Sequence, residues 1–187
     1  MTLRTAMFGT FCALLLLVPS LHAQRTVRLS LESIVAKAGT AFHGTVLRTV
    51  RETDPATSLT VDRITFAVAE DLLGGASGEV TVMMVAGTDA RGRRKLSELP
   101  RFAPGDEVVA MFHEPSTLGL TSPVGMGQGT FRVTGTAQGK RVTISAAQRE
   151  RFAARTAAPS DGPQQVPLND FLAAVRTLAA ERKERLQ

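Results

Sequence analysis

The stretch DEVVAMFHE, Asp106 to Glu114, constrains the fold more than any other. Read as an extended segment it places Val108, Ala110 and Phe112 on one face and Val109 and Met111 on the other. Successive side chains of a strand point to opposite sides, so a strand apolar on both must be covered on both. The chain must therefore supply two layers around this strand.

The remaining period-two segments provide the sheet. AFHGTVLRTV sets Phe42, Gly44 and Val46 on one side, LTVDRITFAVAE sets Ile64, Phe66 and Val68, and EVTVMMVAG sets Val80, Val82 and Met84. Gly74-Gly75 and Gly78, the run Pro100 to Gly105, and TAQGK punctuate them. Five or six short strands so spaced predict a small β-sandwich or barrel. SLESIVAKAG predicts a short leading helix with Ser30 as N-cap, Leu31, Ile34 and Val35 on one face, and Gly39 closing it. AAQRERFAAR carries a weaker helical pattern, followed by a Pro, Gly and Gln linker, TAAPSDGPQQVP. LNDFLAAVRTLAAERKERL then repeats Leu168, Phe171, Leu172, Val175 and Leu178 at helical spacing, with Arg182, Lys183 and Arg185 where the dipole favours cations. This amphipathic helix is expected to dock on the barrel.

The N-terminus, MTLRTAMFGTFCALLLLVPSLHAQ, has Arg4, an apolar run from Phe11 to Val18, Pro19 and a small Ala23. It reads as a secretory signal peptide cut after Ala23, since the run is far short of the roughly 20 residues that span a bilayer. The expected organisation is signal peptide 1–23, a β-barrel domain with its leading helix over 24–145, and a helical tail over 146–187. The expected location is periplasmic or secreted. Cys12, the only cysteine, leaves with the signal. The mature chain then has no disulfide, thiolate nucleophile or cysteine metal site.

The formal charge of +5 is a property of the ends: from Ser30 to Ser145, 12 Lys and Arg face 12 Asp and Glu. A neutral body argues against nucleic acid as a partner, and so do seven mature Phe placed at core positions with no Trp or Tyr. The one dense basic cluster is RGRRK, where Arg91, Arg93, Arg94 and Lys95 sit in a long loop. It is a solvated loop or a contact for an anionic partner.

PVGMGQGTFRV, Pro123 to Val133, poses the phosphate-loop question. Such a loop needs a helix N-terminus after its glycines, and here they run into a β segment. If the stretch is itself extended, Gly125, Gly127 and Gly129 share a face with Phe131 and Val133, which is expected where another backbone passes closely. Gln128, on the opposite face, is then the residue to meet any ligand. Only His43 and His113 remain for metal chemistry, fewer than the three protein ligands zinc usually takes, and they can join only if their strands pair. Neither Ser116 nor Ser122 has the context of a serine nucleophile. Asp62, Glu70 and Asp71 lie near strand ends, and nothing singles them out. The expectation is a protein that is not an enzyme and takes no cofactor.

The order LESIVAKAGTAFHGTV, AEDLLGG, RFAPGDEVVAMFHE and GMGQGTFRV resembles a group of uncharacterised bacterial secreted proteins, over about Leu29 to Val133. Its first four elements are also distantly similar to the netrin or metalloproteinase-inhibitor module. That resemblance implies a mainly β fold, a small antiparallel OB-like closed barrel of five to six strands with the two helices described. It transfers no active residue, because the module's inhibitors chelate zinc through an N-terminal cysteine that this chain lacks. The functional expectation is a secreted or periplasmic binding module acting on a secreted or cell-envelope protein. The alternatives are a cysteine-independent inhibitor or accessory partner of a secreted protease, and an enzyme of unrecognised type.

Overall fold

The structure, a computed structural model, describes residues 27–86, 99–149, 152 and 163–187. Helix α1 (Leu31–Lys37) precedes strands β1 (Thr40–Thr53), β2 (Thr60–Asp71), β3 (Glu79–Val85), β4 (Glu107–Phe112), β5 (Thr130–Thr136), β6 (Gly139–Ile144) and β7 (Gln164–Pro167), and helix α2 (Leu168–Arg185) ends the chain. The strands form one antiparallel sheet in the order β3-β2-β1-β4-β5-β6-β7. Among the described residues its two end strands do not pair with each other, so the sheet is mainly β as expected but is not a ladder closed on itself.

β4 lies at the centre and is covered on both sides. Val108, Ala110 and Phe112 join Phe42, Val46, Ile64, Phe66 and Phe102 in one cluster. Four of its rings meet edge-on, tilted or, for Phe42 and Phe112, stacked, with centroids 5.1–6.3 Å apart, arrangements that add to the simple burial of aromatic area. Val109 and Met111 belong to a second cluster with Ile34 and Val35 of α1, Phe131, Val142, Ile144, Val166, and Phe171, Val175 and Leu178 of α2.

Local chemistry explains the helices. Ser30 caps α1 by accepting from Ser33 N at 3.2 Å, and Leu31, Ile34 and Val35 are its buried face. Gly39 follows for a reason other than a left-handed cap: a Cβ there would stand 2.6 Å from the backbone N of Glu114, so it permits a close chain crossing. In α2 the five apolar residues at helical spacing are the buried ones. Arg182 reaches beyond its own helix, donating from one guanidinium nitrogen to Val35 O at 3.1 Å and Ala38 O at 2.6 Å. Those carbonyls end α1, where four acceptors lack intrahelical partners.

Two expectations need correction. The linker stretch contains β7, which pairs with β6 through Val142 opposite Val166 and adds a strand to the five or six expected. A strand with one buried apolar side chain, written QQVP, has no periodic signature, and Pro167 is tolerated because it stands at the sheet edge. Within AAQRERFAAR the described structure is a 3-10 turn over Ala146–Gln148. Residues 150–151 and 153–162 lie outside the described residues, as do the signal peptide and Arg91, Arg93, Arg94 and Lys95.

Candidate functional site

The glycine stretch is a loop and not an extended strand. Gly125 and Met126 both have positive φ, +63 and +66, and turns run from Val124 to Gly129 before β5 starts at Thr130. The Met111 backbone closes the loop: its N donates to Gly129 O at 2.8 Å, and its O accepts from Val124 N at 2.9 Å. Gly129 N then donates to Val124 O at 2.8 Å. Gly129 is therefore where chains cross, since a Cβ there would lie 2.8 Å from Met111 O and 2.9 Å from Val124 N. The face shared by Gly125, Gly127, Gly129 and Phe131 does not exist, because left-handed residues reverse the chain inside it. A strand follows the loop, so the helix amides that would hold a phosphate are not there.

Gln128 is engaged within the protein. Its Oε1 accepts from Leu29 N at 2.8 Å, and its Nε2 donates to Val27 O at 2.9 Å and Gly125 O at 3.3 Å. The carboxamide thus clips the segment before α1 to the loop. Beside it opens a groove of about 1140 Å³ whose lining includes Arg28, Gln128, Thr130, Thr143, Ser145 and Gln148. Gln148 is buried; its Oε1 accepts from Ser145 N at 2.8 Å and its Nε2 donates to Gln128 O at 3.3 Å. Ser145 and Gln148 are set as a capping box, yet the Ser145 hydroxyl closes no hydrogen bond among the described residues. Thr130 Oγ1 is enclosed and likewise has no partner among the described residues. Buried hydroxyls are nearly always bonded, so two orphans lining one groove mark it.

The titratable residues singled out in the sequence have structural partners. β1 and β4 do pair, with His43 opposite Val109, but His113 then stands four positions along the ladder, about 13 Å away at the strand rise. The histidines are not brought together. His43 Nε2 meets Glu107 Oε1 at 2.7 Å, and Lys140 Nζ meets the same oxygen at 2.8 Å. Burial opposes the charge on Glu107, but the bonds from Lys140 and His43 outweigh it and hold its carboxyl below the ordinary range. Glu70, opposite His43 on β2, is gripped by Arg176 of α2 through both oxygens at 2.5 and 2.8 Å, which lowers its pKa. Asp62 forms a two-bond pair with Arg51 at 2.7 and 2.8 Å. Asp71 is opposed by burial, yet the amides of Gly74, Ala76 and Leu73 bring its pKa down. It caps the turn after β2.

Ser116 Oγ accepts from Leu120 N at 3.2 Å in its own turn, and Ser122 O accepts from His113 N at 3.0 Å. Neither serine side chain is hydrogen-bonded to an imidazole among the described residues. Those residues contain no cluster of three or more His, Cys, Asp or Glu able to hold a metal ion, and no helix among them is long and apolar enough to cross a membrane.

Thr130 and Ser145 cannot be picked out from the sequence, because a hydroxyl gives no signal until its missing partner can be seen, and Gln148 cannot because its bond to Gln128 O is tertiary. The site therefore consists of a loop clipped by Gln128 and a groove with two unsatisfied hydroxyls. No family model, curated protein or solved structure matches the chain.

Proposed function

We propose that this protein is a secreted or periplasmic binding module whose ligand-contacting surface is the groove beside the glycine loop. The observation that carries the reading is the pair of enclosed, unpartnered hydroxyls, Thr130 Oγ1 and Ser145 Oγ, on its wall. An unmet buried hydroxyl costs about 1–3 kcal/mol, which a ligand offering hydrogen-bonding groups would return on binding once the groove wall shifts to uncover it. A segment of a secreted or cell-envelope protein fits that chemistry. The engagement of Asp62, Glu70, Asp71, Glu107 and His43 in internal pairs supports a role without catalysis. The address rests on the signal-like residues 1–23.

The finer architecture belongs to the same reading. The chain after β4 returns to β3: Thr121 N donates to Met83 O at 2.9 Å, and Met83 and Leu120 form a parallel bridge. This supports an OB-like barrel built from β1 to β4 around the aromatic cluster, with closure made by that bridge and not by a full strand ladder.

The test is capture from culture supernatant and periplasmic extract with tagged wild type, Thr130→Val and Ser145→Ala, followed by mass spectrometry. A partner held by wild type and lost by both variants is expected. Retention by both variants rules the groove out. A protease in the captured fraction, inhibited on binding, would redirect the reading towards an inhibitor.

A further inference from the structure

Met126 has a side chain in a backbone conformation that disfavours one. At φ +66, directly after Gly125, it occupies the left-handed region where glycine or asparagine is held with less strain. Strained residues of this kind concentrate where a side chain must be displayed in a fixed place. What is displayed is a thioether, packed partly buried against the aromatic cluster that also contains Met84. Met84, Met126 and His113 line one cavity of about 460 Å³, with Leu99 and Leu120 among its apolar walls. The backbone of His113 is held by Ser122 and Thr121, while its ring is hydrogen-bonded to nothing among the described residues.

We propose that this cavity, which shares Met126 with the groove, binds a soft monovalent metal ion, Cu(I), through the thioethers of Met84 and Met126 and the imidazole of His113. Thioether sulfur is a soft donor that selects Cu(I) over harder ions, and imidazole suits copper equally well. Zinc takes nitrogen, thiolate and carboxylate donors, so two of these three side chains offer it nothing. The apolar walls also favour a low-charge ion that sheds its water easily. The left-handed Met126 then has a purpose: the loop brings a second sulfur to a cavity already lined by one.

Anaerobic titration of the purified protein with Cu(I), in competition with the chromogenic chelator bicinchoninate, is expected to load a single equivalent. Met126→Leu and His113→Gln are each expected to weaken it by about tenfold or more with unchanged circular dichroism. Met126→Leu keeps an apolar side chain of similar volume and removes the sulfur. Met84 is buried and is read without substitution: in methyl-labelled methionine spectra, Ag(I), a diamagnetic stand-in, should shift the signals of Met84 and Met126 and leave Met83 and Met111 in place. No uptake against the chelator, full uptake by Met126→Leu, or shifts confined to Met83 or Met111 would overturn the proposal.

Discussion

On one face of β4, Val108, Ala110 and Phe112 meet Phe42, Phe66 and Phe102, contributed by β1, β2 and the approach to β4. On the other, Val109 and Met111 meet α1, β5, β6, β7 and α2, elements drawn from both ends of the chain. The first layer is completed within residues 42–112, whereas the second waits for Phe171 to return to Phe131, where their ring centroids stand 4.6 Å apart. The enclosed, unpartnered hydroxyls lie at the margin of the second layer, beside Phe131 and Ile144. A layer closed by distant segments leaves a seam, and the groove is that seam.

The largest expected effect breaks this comparison directly. Phe171→Ala removes a fully buried ring from the second layer and should cost about 3–5 kcal/mol. Hydrogen exchange on the variant should rise in β5, β6 and β7 before it rises in β2. Equal loss of protection in β2 and β6 would mean that the layers are one cooperative unit.

Next in size, Gly129→Ala should cost about 1–3 kcal/mol, because its methyl meets backbone atoms on two sides. Gly135→Ala meets nothing within 4 Å and is the control. Equal melting temperatures for the two variants would show that the loop yields. Gln128→Ala removes three hydrogen bonds to backbone carbonyls and an amide, and a loss of about 1–2 kcal/mol is expected in chemical denaturation. An unaffected midpoint would place the clip outside the folded unit.

The smallest effect is electrostatic. The Glu70, Asp71, Asp106 and Glu107 carboxyls all have lowered pKa values in the folded chain, Asp106 against the opposing effect of burial through Ala103 N and Arg132. Their unfolded values, 4.5 for Glu and 3.8 for Asp, are higher. The unfolded chain therefore binds more protons, and this stability is complete above those values and lost as pH falls through the folded ones. Glu70→Gln should flatten the acid limb by no more than about 1 kcal/mol, since its pair with Arg176 is largely solvated. A melting curve steeper in acid for the variant would reverse the sign of this account.

Where backbone periodicity carries the information, the fold was legible. DEVVAMFHE revealed its two covered faces, and Ser30, Leu31, Ile34 and Val35 revealed α1 with its cap. β7 was hidden because edge pairing makes no demand on side-chain pattern beyond Val166. The extended geometry expected for the glycine stretch fails: absence of a following helix was visible, whereas the left-handed Gly125-Met126 pair needs coordinates to be seen. Gln128, expected to meet any ligand, lines the groove, and its carboxamide also bonds Val27, Leu29 and Gly125. Side-chain hydrogen bonds over about a hundred residues of separation leave no trace in local sequence.

In the free protein the groove holds hydroxyls with no partner among the described residues. Denaturant unfolding of Thr130→Val measures it most directly, because the substitution deletes the hydroxyl while nearly preserving shape. An orphan hydroxyl predicts that the variant is more stable than wild type by about 1 kcal/mol or more, with an unchanged denaturant slope. A variant less stable than wild type would show that Thr130 Oγ1 already has a partner in the free protein, and would contradict the groove as a site awaiting its ligand.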